Sequence, residues 1–400
     1  MTWRRHLFLQ RGRRRTTPAP IHGPRRLTVA PDPPASDGPE ALLGWLRNTA
    51  WPLWLEHGVD WSRGGFNESL DLRTHQSTAP FRRLRVAARQ VHVFAAAAAC
   101  GVPRAEEAVA LGIAFLRDRA REEDGGYARR FDLDGRVLDA DRDLYDHAFV
   151  LLALASAARL LPAAPLHREA RALLDYLDAH LAHPLGGHAE GVPASLPRRQ
   201  NPHMHLLEAL LAAAEAFGDA LFLRRATGIV DLFLTRFLDA RTGAVPEYYE
   251  EDLSPRTEGG RFVVEPGHHC EWVWLLDWHG RLAGTPAGVA EGLLRFVDRH
   301  GINPRLGTLY DALWSDGAVQ SGGSRLWPQT ERLKSETLRP DASAEGIARA
   351  VAALRLHLAG APPGLWHERL DADGVPSGEP APASSLYHLT AGILVAERRR

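Results

Sequence analysis

Apolar positions along this chain recur at helical spacing in runs of helix length, and the runs come in pairs. A helix that buries one face needs apolar side chains near i, i+3, i+4 and i+7. Residues 84–99 read this way, as do 105–119, with Gly101-Val-Pro103 dividing them. Similar pairs cover 144–160 with 170–181, 206–216 with 220–237, and 271–282 with 287–300. Weaker patterns follow at 331–338 and 342–358, and 40–55 with 386–397 form an outermost pair, one run from each end.

A second period is laid over the first. Between the helical pairs comes a phrase of one or two glycines and a short extended stretch, as in Gly64-Gly-Phe-Asn-Glu-Ser-Leu-Asp71 and Thr242-Gly-Ala-Val-Pro-Glu-Tyr248. Taking Gly65, Gly126, Gly187, Gly243, Gly307 and Gly364 as markers, the steps are 61, 61, 56, 64 and 57 residues. Repeats of this size are single supersecondary units that bury their faces only by stacking on neighbours. The pattern predicts an all-α fold, an (α/α)6 barrel of about twelve helices with short extended loops at one mouth. One helix of each pair lines the centre. An open solenoid is the alternative, but termini that complete a sixth hairpin argue for closure. The expected division is a tail over 1–38 and one barrel domain over 39–400.

Composition narrows the partners. The chain is 45% apolar and 24% charged, as in ordinary globular enzymes, and its formal charge of −1 offers no global attraction to nucleic acid or to an anionic membrane. No apolar run has the length of a membrane span. The first 26 residues carry eight arginines and no acid, and read as a disordered tail or as residues upstream of the true start. Two cysteines, Cys100 and Cys270, exclude a disulfide framework and favour a reducing cytoplasm. Lys334 is the single lysine, so Schiff-base chemistry has one candidate nucleophile. A homodimer is compatible with the sequence.

The candidate chemistry is histidine chemistry. Asn201-Pro-His-Met-His-Leu-Leu-Glu-Ala209 and Glu265-Pro-Gly-His-His-Cys-Glu-Trp272 each place a His three residues before a Glu, as His205/Glu208 and His268/Glu271. Positions i and i+3 share a helix face, so each segment presents an imidazole with a carboxylate. Such a pair suits moving protons on and off carbon, although a buried His–Glu pair can also be purely structural. Asn201 reads as a helix cap with Pro202 at the first position. His268 falls in a first turn, where the helix dipole should keep it neutral and Glu271 should orient it. His203 and His269 point elsewhere, and Trp272 and Trp274 read as core. His388 opens the last helix and, in a closed ring, joins the same central pit. No His-x-x-x-His spacing stands on one helix face, so no metal and no cofactor are expected; histidines converging from separate helices are the only route to a zinc site.

These segments together resemble the N-acylglucosamine 2-epimerase family, which includes mannose isomerases and cellobiose 2-epimerases. Arg85-Val-Ala-Ala-Arg-Gln90, Arg199-Gln-Asn-Pro-His-Met-His-Leu-Leu-Glu-Ala209, Glu265-Pro-Gly-His-His-Cys-Glu-Trp272, Trp327-Pro-Gln-Thr-Glu331 and Tyr387-His388 stand in the family's order. The resemblance implies an (α/α)6 barrel. It implies that His268 and His388 are the paired acid/base residues and that Arg89 steadies the substrate oxygens. His205, Glu208, Glu271 and Glu331 then form a polar shell, with Asn201 and Trp327 as further pocket residues. Cellobiose epimerases tend to carry two adjacent tryptophans where this chain has Leu326-Trp327, which points towards monosaccharides. The mannose isomerase-like branch is the better match. It implies interconversion of mannose and fructose, with 2-epimerisation of N-acylglucosamine or of another free sugar such as cellobiose as the alternative. A glycoside hydrolase or lyase on the same barrel would need two opposed carboxylates, drawn from Glu208, Glu271 and Glu331. A non-catalytic binding protein would have no need of the histidine set.

Overall fold

The computed structural model describes residues 38–286 and 288–398, so all but the last residue of the Arg-rich segment at 1–38 lies outside the described residues. Twelve helices are present among the described residues, several of them continued by a π-helical turn. In chain order, α1 covers 39–58, α2 Leu84–Ala99, α3 Ala105–Phe115 with a π turn Leu116–Ala120, and α4 Leu144–Ala157. Then come α5 Ala163–His180, α6 Asn201–Phe217, α7 Ala220–Leu232 with a π turn Phe233–Phe237, and α8 Pro266–Ala283. The last four are α9 Ala290–Phe296 with a π turn Val297–Gly301, α10 Leu326–Leu338, α11 Ala344–Leu358 and α12 Ala383–Arg398.

The even-numbered helices form the inner ring. Each packs on the next, from α2 through α4, α6, α8, α10 and α12, and α12 returns to α2. Each odd-numbered helix covers an inner one, and α1 covers α12, so the two ends of the chain make the sixth hairpin and the barrel is closed. The inner helices are correspondingly buried on most faces: α4 buries twelve of its fourteen residues, and α10 buries a largely polar set that includes Glu331 and Lys334.

The glycine phrases become six antiparallel ribbons around one mouth. The two-residue strand that leads into each inner helix pairs with the strand that follows an outer helix: Arg82–Arg83 with Arg130–Phe131, Arg142–Asp143 with Gly191–Val192, and Arg198–Arg199 with Tyr248–Tyr249. Val263–Val264 pairs with Ala312–Trp314, and Ser324–Arg325 with Arg369–Leu370. The sixth ribbon joins Ala381–Pro382 to Ser69–Leu70 and so ties the last turn of the ring to the first.

The expected helix limits were short at one end. Helices α6, α8 and α10 begin at Asn201, Pro266 and Leu326, ahead of the apolar runs at 206, 271 and 331. Their first turns face the mouth and carry polar side chains, so apolar periodicity is silent there. Asn201 is also not the cap: Gln200 occupies that position, and Asn201 is the first helical residue.

These first turns explain several histidines. In His147, His203 and His269, Nδ1–H donates to the carbonyl four residues back, at 2.7, 3.2 and 3.4 Å. Nε2 of each accepts the N–H of Tyr127, His188 or Val245, just past a marker glycine. Gln329 Oε1 does the same for Leu309 at 2.9 Å. Each is a staple between an inner helix and a mouth loop. Burial pushes these three imidazoles down, to about 4, 3 and 4, so they are neutral staples. His203 is therefore buried structure, as His269 is.

Candidate active site

A pocket of about 260 Å³ opens at the ribbon end of the barrel, on its axis. Every inner helix contributes to it: Arg89 from α2, Tyr145 from α4, His205 from α6, His268 and Glu271 from α8, Trp327 from α10 and His388 from α12. Asn201 also lines it, with its side-chain oxygen buried and without a hydrogen-bond partner. Glu208 and Glu331 stand behind this wall and reach the pocket through the histidines they hold.

His388 Nδ1 is 2.9 Å from Glu331 Oε1, which leaves Nε2 for the pocket. Burial lowers this imidazole, and Arg89 and Lys334 add to the effect against the pull of Glu331, so it titrates at about 4. His268 differs. Its burial also disfavours the cation, but Glu247, which bonds the ring, and then Glu265 more than offset that and raise it to about 9. The helix N-terminus therefore does not keep His268 neutral: the neighbouring carboxylates outweigh one dipole end. Nor does Glu271 orient it. The Nδ1 of His268 bonds Glu247 Oε2 at 2.9 Å, while Glu271 approaches His205, at 3.9 Å. The i, i+3 pairing is real only in α6, where His205 Nδ1 meets Glu208 Oε2 at 3.0 Å. Burial lowers His205 to about 4, and Glu208, bonded by His205 and by the Tyr387 hydroxyl, is held at about 2 despite its burial.

Arg89 is 5% exposed and donates from Nη2 to the Tyr145 hydroxyl at 2.6 Å. Its guanidinium lies 4.1 Å from the Phe149 ring centroid. Its charge thus meets a phenol and a ring face there, an arrangement suited to an oxyanion. Trp327 lies over both pocket imidazoles, with its ring centroid 4.8 Å from His268 and 5.6 Å from His388. Gly267 allows this approach, because a Cβ there would come within 2.8 Å of the Trp327 ring. Leu326, by contrast, is fully buried in the core and lines no part of the pocket. Its identity therefore carries no information about a second stacking platform. Trp272 and Trp274 are also absent from the pocket wall; Trp272 stacks on Phe233 at 4.0 Å.

The sequence reading missed several lining residues: Tyr145, Glu247, Glu265, Arg325, Glu368 and Ser385. A signal for two of them was present. Three or four residues past each marker glycine stand Glu68, Arg129, Glu190, Glu247, Asp311 and Glu368, acidic in five repeats of six. Four of these acids accept a backbone N–H at the entrance of an inner helix, at Arg83, Arg199, Glu265 and Arg325. Glu247 alone then turns its second oxygen to a pocket histidine.

Side chains of a ligating type also converge across helices, although their contacts are to one another. His205, Glu208 and Glu271 form one set, and Glu271, Glu331 and His388 another, with ligand atoms within 4.8 Å of one another. Spacing within single helices could not show this. In both sets the histidine Nδ1 is already bonded to a carboxylate, and the Lys334 ammonium stands 2.7 Å from Glu331, opposing a dication.

Residues 64–392 match the N-acylglucosamine 2-epimerase family. The chain belongs to this family. It is 39% identical, over 89% of its length and 96% of the relative's, to a mannose-6-phosphate isomerase of Rhizobium meliloti. It is 31% identical to a D-mannose isomerase of Thermobifida fusca, over 60% of this chain and 57% of that one. Among solved structures, a D-mannose isomerase superposes with a TM-score of 0.83 at 22% identity, covering 91% of this chain and 99% of the other. The cellobiose 2-epimerase of Bacillus thermoamylovorans gives 0.80 at 17%, covering 90% and 99%. Both structures thus share the fold of this chain.

Proposed function

We propose that the protein is a sugar isomerase that interconverts mannose and fructose through an enediolate. The observation that carries this is the pair of imidazoles beneath Trp327, each bonded at Nδ1 by its own carboxylate, Glu331 for His388 and Glu247 for His268. His388, low and neutral, is the base; His268, raised and cationic, is the acid. His388 Nε2 takes the proton from C2 of the open-chain aldose, and the electron pair moves into a C1–C2 double bond. The carbonyl π pair moves to O1, which His268 protonates. Arg89 stabilises the charge that develops on the vicinal oxygens. Return of the carbon-bound proton to C1, with loss of the O2 proton to His268, gives the ketose and restores both histidines. His205, Glu208, Glu271, Glu331, Asn201 and Trp327 hold substrate and acid/base pair in place.

The charge of the pocket favours an unphosphorylated sugar. Arg199 is held by Glu190, and Arg325 by Asp311 and Glu265, while Glu247 and Glu368 add negative charge to the wall. Of the cations that line the pocket, Arg199, Arg325 and His268 each have a carboxylate partner, which leaves Arg89 for a phosphate. The hydrolytic reading is disfavoured because Glu208 and Glu331 face away from the pocket, each bonded to a histidine. No metal, nucleic-acid or membrane partner takes part in this scheme, and two free cysteines suit a cytoplasmic enzyme; no described helix is long and apolar enough to cross a membrane.

Chelator-treated protein incubated with mannose, mannose 6-phosphate, cellobiose and N-acetylglucosamine tests the proposal. Fructose from mannose, with the phosphate ester turned over poorly, is expected. Conversion only of cellobiose or N-acetylglucosamine to its 2-epimer would move the protein to the epimerase branch.

A further inference from the structure

Lys334 is the single lysine among 48 lysines and arginines, and it is fully buried in α10 beneath the pocket. Its ammonium stands 2.7 Å from Glu331 Oε2 and 3.5 Å from the ring centroid of Trp274. Glu331 uses its other oxygen, Oε1, on His388 Nδ1. One carboxylate therefore bridges the lysine and the histidine. Beside it lies Glu271, whose two oxygens are both buried and have no hydrogen-bond partner. The two carboxyls contribute oxygens to one cluster within 4.8 Å.

Two carboxylates this close in a buried site do not both ionise, because desolvation and mutual repulsion act together. Which one carries the proton is decided by the charges around them. On α10 itself the cation is Lys334, on the Glu331 side. From α8 they face His268, from α6 His205 and Glu208, from α2 Arg89 and from α12 Tyr387 and His388. Glu208 is satisfied by His205 and Tyr387, and Arg89 donates to Tyr145. Only Glu331 has a cation in contact. We propose that Lys334 is a positioning residue of the reaction: by binding Glu331 it keeps that carboxylate beneath His388 and leaves the shared proton on Glu271, which faces the sugar as a neutral donor. The compact ammonium suits the gap between Trp274 and Glu331, where a planar guanidinium needs more room. The direction of both titrations agrees: burial and the Glu331 charge raise Glu271, whereas Lys334 and His388 bring Glu331 down against its burial.

Two measurements test this, and only the second rests on the isomerase reading. Infrared difference spectra of substrate-free wild type against Glu271→Gln, near neutral pH, should show the loss of a protonated carboxyl C=O band. Wild type against Glu331→Gln should show the loss of carboxylate bands instead. In Lys334→Met, which keeps the bulk and removes the charge, the buried Glu331 anion should draw a proton onto His388. The acid limb of kcat/KM should then move up by about one pH unit or more, while melting still reports a folded barrel. A Glu271→Gln spectrum that loses no protonated band overturns the proposal. So does an unmoved acid limb in folded Lys334→Met. If that variant fails to fold, or if wild type isomerises no sugar, the infrared comparison decides alone.

Discussion

His268 and His388 are the same side chain near the starts of two inner helices, α8 and α12, with α10 between them, and their surroundings drive them apart. His388 has one carboxylate, Glu331, which is itself neutralised by Lys334. His268 faces Glu247 in contact and Glu265 at 3.8 Å; Arg325 pairs with Glu265, but Glu247, the nearer carboxylate, has His268 as its cation. In the proposed mechanism the base, His388, is therefore available above about 4, and the acid, His268, is charged below about 9. We expect kcat/KM to be flat between those limits, falling at low pH as His388 is protonated and at high pH as His268 loses its proton. Glu247→Gln removes the largest stabiliser of the imidazolium, so the alkaline limb should move to lower pH while the acid limb stays put. A profile unchanged by Glu247→Gln would show that His268 does not supply the acid. At this scale the sequence was half legible. The motifs named His268 and His388, but the partner of His268 lies 21 residues away on a loop, beyond any helix-face rule.

The first turns of the inner helices are where local pattern and function part company. Each must be polar enough to face the mouth and still lock to a ribbon, and neighbouring histidines divide the two tasks. In α6, His203 staples the loop and His205 faces the pocket; in α8, His269 staples and His268 faces the pocket. A one- or two-residue step rotates a side chain to another face of the helix, which is why adjacent histidines diverge. His269→Ala should leave the Val245 N–H buried without an acceptor and cost about 1–3 kcal/mol. We expect a lower melting temperature with kcat per folded molecule within about threefold of wild type. A large kcat loss at unchanged stability would give His269 a chemical role it does not have here. The apolar period found the helices and missed their first turns, because residues chosen for a pocket do not repeat with the core.

For the whole molecule, the repeat of about 60 residues was the most legible feature, since each unit must bury its face on the next. It was enough to give the sixfold barrel, with α1 and α12 closing it. The ribbon that pairs Ala381–Pro382 with Ser69–Leu70 was not readable, because two-residue strands have no periodicity of their own. Choice of substrate was also less legible than it looked: the missing tryptophan at Leu326 falls on a core position. What the barrel does is bring side chains from six distant segments to one pocket. Proton transfer between C2 and C1 by those side chains is the central step of the proposed reaction. Chelator-treated protein should be given mannose in deuterated water and the products followed by NMR. We expect fructose to form at an undiminished rate and to carry deuterium at C1, because the proton passes through a histidine that exchanges with solvent. Fructose that retains only the original C2 hydrogen at C1, formed only when a divalent ion is restored, would be a metal-assisted hydride shift and would contradict the account.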